Sequence, residues 1–486
     1  MRTIFKQSRR LRFSVLLLAL LLLLGPSGCL GQESPVPASQ SVTASADDLA
    51  QSVPAPSQAG LPELPKETVI PLLSTETEAP TATEPVPETE PLDVEEAILR
   101  YEASPPDYAP LDRAPEKSGA PVPEAAYSLC PDGFWRRAED SGDSAVLMLA
   151  GDLLCQTRQQ EAARTEDGYD FRGSFHYVKP IFSEADLVIG NLEAVLSERA
   201  PYMAEQPAVE GRPHLNAPPV YLEAIRDAGF DLVVMSNNHN CDAGVRGVFD
   251  TLDRVDEYGL IHTGTFRSGA EPRFALVEVN GIRIGIMSYA TYFNKKDAHL
   301  TEDGVRTLLN PYDPETAAED AAAARRAGAE YLLVYIHWGT EYTNTPNEKQ
   351  FRIARELADA GFDFIVGSHP HALQPFDSVT SADGRRVPVL YSMGNFVSHQ
   401  KKTVTKDTII LRLVLERDEG GGAVLAESAY IPCRVFKRFG DFDYVVLPLT
   451  EPYRQGLTSS YFGPALERIS GVIGPALPML GDAQIN

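Results

Sequence analysis

Tryptophan, histidine and cysteine are scarce in this 486-residue chain, which contains two, nine and five of them respectively. Basic residues are also in short supply, because 43 Lys and Arg stand against 68 Asp and Glu and leave a formal net charge of −25. Proteins that hold nucleic acid by its phosphates present clusters of Lys and Arg. The charge balance therefore excludes nucleic acid as a partner.

The few cysteines are irregularly spaced, and no Cys-x-x-Cys pair occurs. Structural zinc sites of the finger type need such pairs, so that class of site is excluded. A disulfide between Cys130 and Cys433 would tie together the two ends of a folded domain, and export from the cytoplasm would permit it. The spacing alone does not assign this pairing, which stays a hypothesis.

The N-terminus carries the longest apolar run, over residues 13–24, directly after several Arg and Lys. A run of a dozen residues is shorter than the roughly 20 that cross a bilayer, so an export signal is predicted rather than a membrane span. The following Ser27-Gly28-Cys29 resembles a lipobox, which implies that lipid on Cys29 anchors the protein to the outer side of the cell membrane. The alternative is a plain secretory signal, because Pro26 stands where lipoboxes usually carry leucine.

Residues 31–126 contain almost no aromatic residues but hold 17 of the 38 prolines, with 18 Asp and Glu against 4 Lys and Arg. Such a segment cannot bury a core, and proline together with like charge keeps it extended. The predicted organisation is therefore a lipoprotein signal peptide (1–29), a disordered Pro/Glu-rich linker (30–126), a folded domain (127–450) and a helical C-terminal extension (451–486).

Beyond residue 143, short apolar runs bounded by turn residues alternate with amphipathic stretches of helical spacing. This alternation predicts an α/β domain. Buried strands are predicted at residues 145–150, 187–189, 232–235, 284–288, 331–336, 364–366 and 387–392. Helices are predicted at residues 220–228, 317–327 and 349–360, and later strands between 408 and 447.

Polar residues that suit a metal follow these predicted strands directly. The clusters are Gly151-Asp152, Gly190-Asn191-Leu192-Glu193, Asn237-Asn238-His239, His337-Trp338-Gly339-Thr340-Glu341, Gly367-Ser368-His369-Pro370-His371 and Gly394-Asn395-Phe396. Ligands gather at the carboxyl ends of strands in open α/β sheets, so these side chains are expected to converge. A single such residue is usually a helix cap or a surface residue. Their recurrence favours a site for Zn, Mn or Fe, which accept mixed oxygen and imidazole ligands.

The order of these motifs resembles the CapA family of capsular poly-γ-glutamate synthesis proteins. The resemblance implies a metallo-dependent phosphatase-like fold, a four-layer α/β/β/α sandwich related to calcineurin-like phosphoesterases. It also implies one or two divalent metal ions, with the candidate ligands Asp152, Glu193, Asn238, His337, His369 and His371. The catalytic acid it implies is His239. Candidate substrate-binding residues are Asn191, Asn237, Trp338, Glu341 and Asn395, with a packing role as an equal alternative for Trp338.

Two positions depart from the phosphoesterase pattern. Those enzymes carry Asp-x-His at the first strand, where this chain has Asp152-Leu153-Leu154, and they carry a bridging Gly-Asp where this chain has Gly190-Asn191. One histidine and one carboxylate ligand are therefore missing. Glu193 is the available replacement for the carboxylate.

Two functions stay open at this point. The chain is either a metal-dependent hydrolase of a phosphoester or γ-glutamyl amide, or a non-catalytic accessory that holds an anionic cell-surface polymer such as poly-γ-glutamate. Capsule synthase membrane subunits are the expected protein partners in both cases, and a pure scaffold is a third, weaker hypothesis. An acidic protein needs cations to hold an acidic polymer. The candidates are Arg325, Arg326, Lys401, Lys402 and Lys406, whose ordinary role would be a solvated face.

Overall fold

The computed structural model describes residues 123–138, 142–206, 214–295, 297, 300–454 and 459–481. The predicted signal peptide, Cys29 and the predicted linker lie outside these residues, apart from the last positions of the linker. Within the described ranges, no helix combines the length and the apolar character needed to span a membrane.

Sixteen strands occur in the described part of the chain. They are β1 (Tyr127–Leu129), β2 (Phe134–Arg137), β3 (Ser144–Leu153), β4 (Leu187–Leu192), β5 (Leu232–Val234), β6 (Ile261–Thr263), β7 (Ala275–Val279), β8 (Ile282–Ala290), β9 (Tyr331–His337), β10 (Phe364–Ser368), β11 (Leu373–Thr380), β12 (Arg386–Met393), β13 (Asn395–Val397), β14 (Asp407–Arg417), β15 (Ala423–Phe439) and β16 (Phe442–Pro448).

The strands form two eight-stranded sheets. One sheet has the order β1-β2-β7-β8-β9-β10-β12-β11, and the other has the order β16-β15-β14-β3-β4-β5-β6, with β13 also paired to β3. The centre of each sheet is parallel, over β8, β9, β10 and β12 in the first and over β3 to β6 in the second. Antiparallel strands flank these parallel centres, for example β14 on β3 and β11 on β12.

The helices are α1 (Thr157–Ala163), α2 (Lys179–Phe182), α3 (Tyr221–Ala228), α4 (Gly244–Glu257), α5 (Glu302–Leu308), α6 (Pro314–Arg326), α7 (Glu348–Asp359) and α8 (Ser459–Ile473). One apolar cluster joins the facing surfaces of the two sheets. A second cluster packs helices such as α3 and α4 on the outer face of the β3 sheet, and a third packs α6 and α7 on the outer face of the β9 sheet. The predicted four-layer α/β/β/α sandwich is confirmed.

Strand β9 shows how the sequence produces these layers. Successive side chains of a strand point to opposite faces of the sheet, so a strand covered on both faces is a continuous apolar run. Leu333 and Tyr335 face the cluster between the sheets, whereas Leu332, Val334 and Ile336 face helices α6 and α7. Each of the seven predicted strands was recognised by such a run, and each is present, with ends that differ by a few residues.

Several elements go beyond the predictions. Strands β1, β2, β6, β7, β11 and β13 were not predicted, and all but β11 have only three to five residues, too short for a clear apolar pattern. The final helix, α8, was predicted as part of an extension, and its Ala465, Ile469 and Ile473 belong to the cluster between the sheets. This helix therefore contributes to the core.

The hypothetical pairing of Cys130 with Cys433 is wrong. Cys130 and Cys433 are both free thiols. Cys433 is buried on β15, and its thiol lies 3.6 Å from the carbonyl oxygen of Ile431, while Cys130 is only partly buried and lies near the carbonyl oxygen of Ser128. Burial raises the pKa of the Cys433 thiol above its ordinary value, so it behaves as a small apolar core residue.

Two glycines allow backbone segments to meet where the site is built. A Cβ atom on Gly367 would lie 1.9 Å from the carbonyl oxygen of Tyr391 and 2.5 Å from the indole nitrogen of Trp338. A Cβ atom on Gly151 would lie 2.1 Å from the carbonyl oxygen of Gly394. Since main-chain atoms cannot move aside as a side chain can, these positions accept only glycine.

We expect Gly367→Ala to destabilise the protein by about 3 kcal/mol, because the added methyl group overlaps a neighbouring strand's backbone. The matched control is Gly471→Ala in α8, where a Cβ atom would meet nothing within 4 Å. That change should be neutral or stabilise by up to about 1 kcal/mol. Denaturant unfolding of both variants checks this, and equal stability of the two would contradict the close approach.

Candidate metal centre

Strands of both sheets end at one site. Asp152 lies near the carboxyl end of β3 and pairs in register with Asn191 on β4, which Glu193 follows. On the other sheet, His337 ends β9 and pairs in register with Ser368, the last residue of β10. The parallel direction of these strands brings their carboxyl ends to the same edge, as the sequence analysis expected.

Glu193 lies at the centre of this site and is fully buried. Neither of its carboxylate oxygens has a hydrogen-bond partner among the described residues. Its Oε1 atom lies 3.9 Å from Nε2 of His239, 3.9 Å from Nε2 of His337 and 3.8 Å from Nε2 of His371. Burial, followed by the nearby Asp152 carboxylate, raises the pKa of Glu193 well above its usual range. A buried carboxylate without partners is costly, and a cation among these nitrogens would offset that cost.

Asp152, near the end of β3, contacts His371, the second histidine of the His-Pro-His motif. Its Oδ2 atom lies 3.2 Å from Nδ1 of His371, and its Oδ1 atom accepts a hydrogen bond of 2.8 Å from the amide of Asn191. The other amide atom, Oδ1 of Asn191, is buried without a hydrogen-bond partner. Asp152 thus lies beside His371 and Glu193, whereas Asn191, predicted to bind substrate, holds Asp152 and does not line the cavity described below.

His337 contacts two polar neighbours through its two ring nitrogens. Its Nδ1 atom lies 3.0 Å from the Ser368 hydroxyl, and its Nε2 atom lies 3.0 Å from Oδ1 of Asn238. Burial, followed by the neighbouring imidazoles, lowers the pKa of His337 well below its ordinary value. The ring is therefore neutral at physiological pH, which is the form that binds metals.

His369 and His371 have unusual backbone conformations, with φ of +92° and +54°. Non-glycine residues in this region are strained and concentrate at functional sites. The turn brings the two rings to 5.8 Å between centroids, and His369 also lies 4.7 Å from the ring of His337. The Tyr292 hydroxyl lies 2.5 Å from Nε2 of His369.

The residues present fit a divalent metal. Three groups have ligand atoms within 4.8 Å of one another: Glu193 with His337 and His369, Asp152 with Glu193 and His371, and Glu341 with His369 and His371. The first two groups share Glu193. Carboxylate oxygens and imidazole nitrogens are donors typical of Zn, Mn and Fe sites.

His239 borders the same centre and is oriented by a carboxylate. Its Nδ1 atom lies 2.7 Å from Oδ2 of Asp242, and its Nε2 atom faces Glu193. The same Asp242 oxygen accepts a hydrogen bond from the main-chain amide of Leu215, which fixes the carboxylate. A cavity of 540 Å³ opens above the centre. Its lining includes Gln156, Asn238, His239, Tyr292, Asn294, Glu341, Tyr342, His369, His371 and Gln400.

The placement of Trp338 argues against its predicted role in substrate binding. Its indole is fully buried in the cluster beneath helix α7, stacks on Tyr391, and donates a hydrogen bond to the Tyr391 carbonyl oxygen. The residue follows His337 directly, so it points to the opposite face of the sheet. Its role is packing.

Asn237 and Asn395 also support the local structure, through hydrogen bonds that hold their loops. The Asn237 amide donates to the carbonyl oxygen of Leu192 and accepts a hydrogen bond from the main-chain nitrogen of His239, which ties this loop to β4. Asn395 pairs in register with Asp152 and donates to Ser398 and Gln400. Neither lines the cavity, whereas the predicted Glu341 is exposed and does.

Three residues at the site were missed. Asp242 stands three residues after His239, a spacing that could have signalled a paired carboxylate. Ser368 sits inside a motif that was noted for its histidines. Tyr292 follows β8 as the other groups follow their strands, but a tyrosine after a strand carries no metal signal of its own.

Fold and site together define an α/β sandwich with a buried histidine and carboxylate centre at the edge shared by its sheets. Residues 146–400, just over half of the chain, match the family described as "Bacterial capsule synthesis protein PGA_cap". The chain belongs to this family, and the resemblance found in the motifs is confirmed.

Similar proteins carry related names. The PGA biosynthesis protein CapA of Bacillus subtilis is 31% identical over 283 residues, which cover 58% of this chain and 70% of that protein. The capsule biosynthesis protein CapA of Bacillus anthracis is 29% identical over 57% of this chain and 65% of its own length. A probable polyglutamine synthesis accessory protein of Mycobacterium tuberculosis is 27% identical over 44% of this chain and 55% of its own length.

Solved structures align more distantly. The calcineurin-like phosphoesterase YfkN from Bacillus subtilis aligns with a TM-score of 0.36 and 12% identity, over 67% of this chain and 97% of that chain. The NAD nucleotidase of Haemophilus influenzae aligns with a TM-score of 0.39 and 14% identity, over 71% of this chain and 59% of that chain.

We expect His371→Ala and Glu193→Gln each to lower the affinity for Zn²⁺ or Mn²⁺ at least about tenfold. Loss of a residue that only orients a ligand already weakens metal binding by about this factor, and loss of the ligand itself should weaken it at least as much. His176→Ala is the matched control, because His176 is exposed and contacts only Tyr177 and Phe442. Metal analysis of the purified full-length variants after dialysis measures the effect. Wild-type metal content in both site variants would refute the centre.

Proposed function

We propose that this chain is an extracytoplasmic metal-dependent hydrolase that processes an anionic polymer of the cell surface during capsule synthesis. The observation that carries the proposal is the buried Glu193 carboxylate, which has no hydrogen-bond partner among the described residues and lies within 3.9 Å of three imidazole nitrogens. Family membership supports the capsule role, and the relatives' names support a polyglutamate-type polymer as the substrate class.

Asp152, Glu193, Asn238, His337, His369 and His371 would hold the metal. A divalent cation supplies Lewis acidity, which polarises the attacked group and activates water. The protein's own part is to keep the donors in place: Ser368 orients His337, and Asn191 holds Asp152. Because two of the ligand groups share Glu193, we propose that this carboxylate replaces the bridging aspartate of phosphoesterases.

His239 is positioned to act as the general acid. Asp242 contacts Nδ1 and fixes the ring, so that Nε2 is directed toward the centre of the site and can donate a proton there. Since His239 also lines the cavity, a leaving group bound there can take this proton. Both amide and phosphoester cleavage need such a proton donor. The position of His239 therefore fits either reaction, and a turnover assay on both substrates distinguishes them.

One observation favours the second function, a non-catalytic accessory that holds the polymer. Asn191 stands where phosphoesterases carry a bridging aspartate. Its amide donates a hydrogen bond of 2.8 Å to one carboxylate oxygen of Asp152. A neutral amide in place of a carboxylate weakens metal binding. In that case the cavity would hold the polymer, and the chain would contribute affinity to an export complex.

Attachment to the membrane belongs to the same proposal. Lipid on Cys29 would tether the domain, and residues 30–126 would hold it away from the membrane surface, next to capsule synthase membrane subunits. The lipobox-like Ser27-Gly28-Cys29 supports the tether, together with the acidic, proline-rich composition of the segment that follows.

We expect His239→Ala to lower kcat at least about 100-fold while metal content stays at the wild-type level, because general acid catalysis contributes on this order. Asp242→Asn should lower kcat by a smaller factor. Release of products from a γ-linked oligoglutamate and from a generic phosphodiester measures turnover in the full-length protein, with His176→Ala as the control. Stoichiometric metal without turnover on either substrate would favour the accessory role instead.

A further inference from the structure

A second cavity, of 670 Å³, opens beside the metal centre. The basic residues in its lining are Arg158, Lys401, Lys406 and Lys437, and the acidic ones are Glu161 and Asp443. Four positive charges against two negative ones give this cavity a net charge of +2, in a chain with a formal charge of −25. We call it the lysine groove, after Lys401, Lys406 and Lys437.

The three lysines are available for a ligand. Across the part of the chain that the structure describes, none of their ammonium groups forms an ion pair, whereas Arg158 pairs with Glu161 at 2.5 Å. Lys401 and Lys406 lie in one loop segment, and Lys437 lies on β15. Three unmatched lysines from these two segments around one cavity indicate a site for negative charge.

His399 supports this assignment from inside the groove. It is partly buried, and its Nδ1 atom has no hydrogen-bond partner among the described residues. Burial, and then the positive charges of Lys401 and Arg158, lower its pKa. The groove therefore has a positive potential together with an unused polar atom.

The lysine groove adjoins the cavity of the metal centre at Gln400. Gln400 lines both cavities, and its side-chain oxygen accepts a hydrogen bond from Asn395, the neighbour of Asp152 across β3 and β13. Beside it, Lys402 places its ammonium group 3.6 Å from the centre of the Tyr342 ring, and Tyr342 lines the first cavity. A chain lying in the groove would thus enter the metal centre past Gln400.

We propose that the lysine groove binds carboxylates of a linear polycarboxylate chain and guides the adjoining segment into the metal centre. The inference rests on the proposed function for the choice of polymer. Lysines present separate point charges that suit carboxylates spaced along a chain, whereas the guanidinium fork of Arg158, which would favour phosphate, is already paired with Glu161. Of the five cations noted in the sequence, Arg325 and Arg326 line neither cavity, and Arg325 pairs with Asp363.

The test compares two triple variants of the full-length protein that remove the same charge. Lys401→Gln/Lys406→Gln/Lys437→Gln changes the groove, and Arg326→Gln/Arg355→Gln/Arg386→Gln changes cations on α6, α7 and β12 that line neither cavity. Fluorescence anisotropy measures the Kd for a labelled γ-linked oligoglutamate of about ten residues, with polyphosphate of equal charge as competitor. We expect the groove variant to bind at least tenfold more weakly and the control variant less than twofold more weakly.

Equal affinities of the two triple variants would overturn the proposed binding role of the groove. The proposal would also fail if polyphosphate displaced the labelled peptide as effectively as unlabelled oligoglutamate does. Metal content and hydrolysis of a γ-glutamyl dipeptide, which lacks the adjoining chain that the groove would hold, are measured on the same samples. Those values should not change in the groove variant. Their absence in the wild-type protein would overturn the proposed hydrolase, while the anisotropy result would still decide whether the groove binds the chain.

Discussion

The site depends on a single electrostatic constraint, which is the fully buried carboxylate of Glu193. Both of its oxygens lack hydrogen bonds, although three imidazole nitrogens lie within 3.9 Å. Placing such a group in the interior is unfavourable unless a positive charge accompanies it. The neutral His337 ring cannot supply that charge, because its pKa is lowered by burial. A bound cation would satisfy the carboxylate, and the imidazoles would be its ligands.

The two-sheet architecture makes this arrangement possible. Asp152 and Glu193 come from the β3 sheet, and His337 comes from the β9 sheet, so the centre spans the edge where the two sheets lie face to face. Close backbone approaches at Gly151 and Gly367 bring these strand ends near their neighbours. The site is therefore as rigid as the core that supports it, and the adjoining loops supply the cavity walls.

Much of the fold was predictable because its central strands are buried on both faces. A strand of this kind must be a continuous apolar run, and the chain direction places its last residues at the ligand-binding edge. That logic located Asp152, Glu193, His337 and both histidines of the His-Pro-His motif. It failed for Trp338 and Asn237, because residues beside a ligand in the sequence can point into the core or hold the loop.

The sequence by itself determined the layered α/β domain, the family and a set of candidate metal ligands, because burial patterns and residue chemistry are local properties of the chain. Only the tertiary structure decided that Glu193 has no hydrogen-bond partner among the described residues, that Asp242 orients His239, and that Lys401, Lys406 and Lys437 surround one groove. Lys437 is more than 30 residues from the other two lysines in the chain. Strand pairing between β14, β15 and β16 brings such distant residues together, and no local pattern records that pairing.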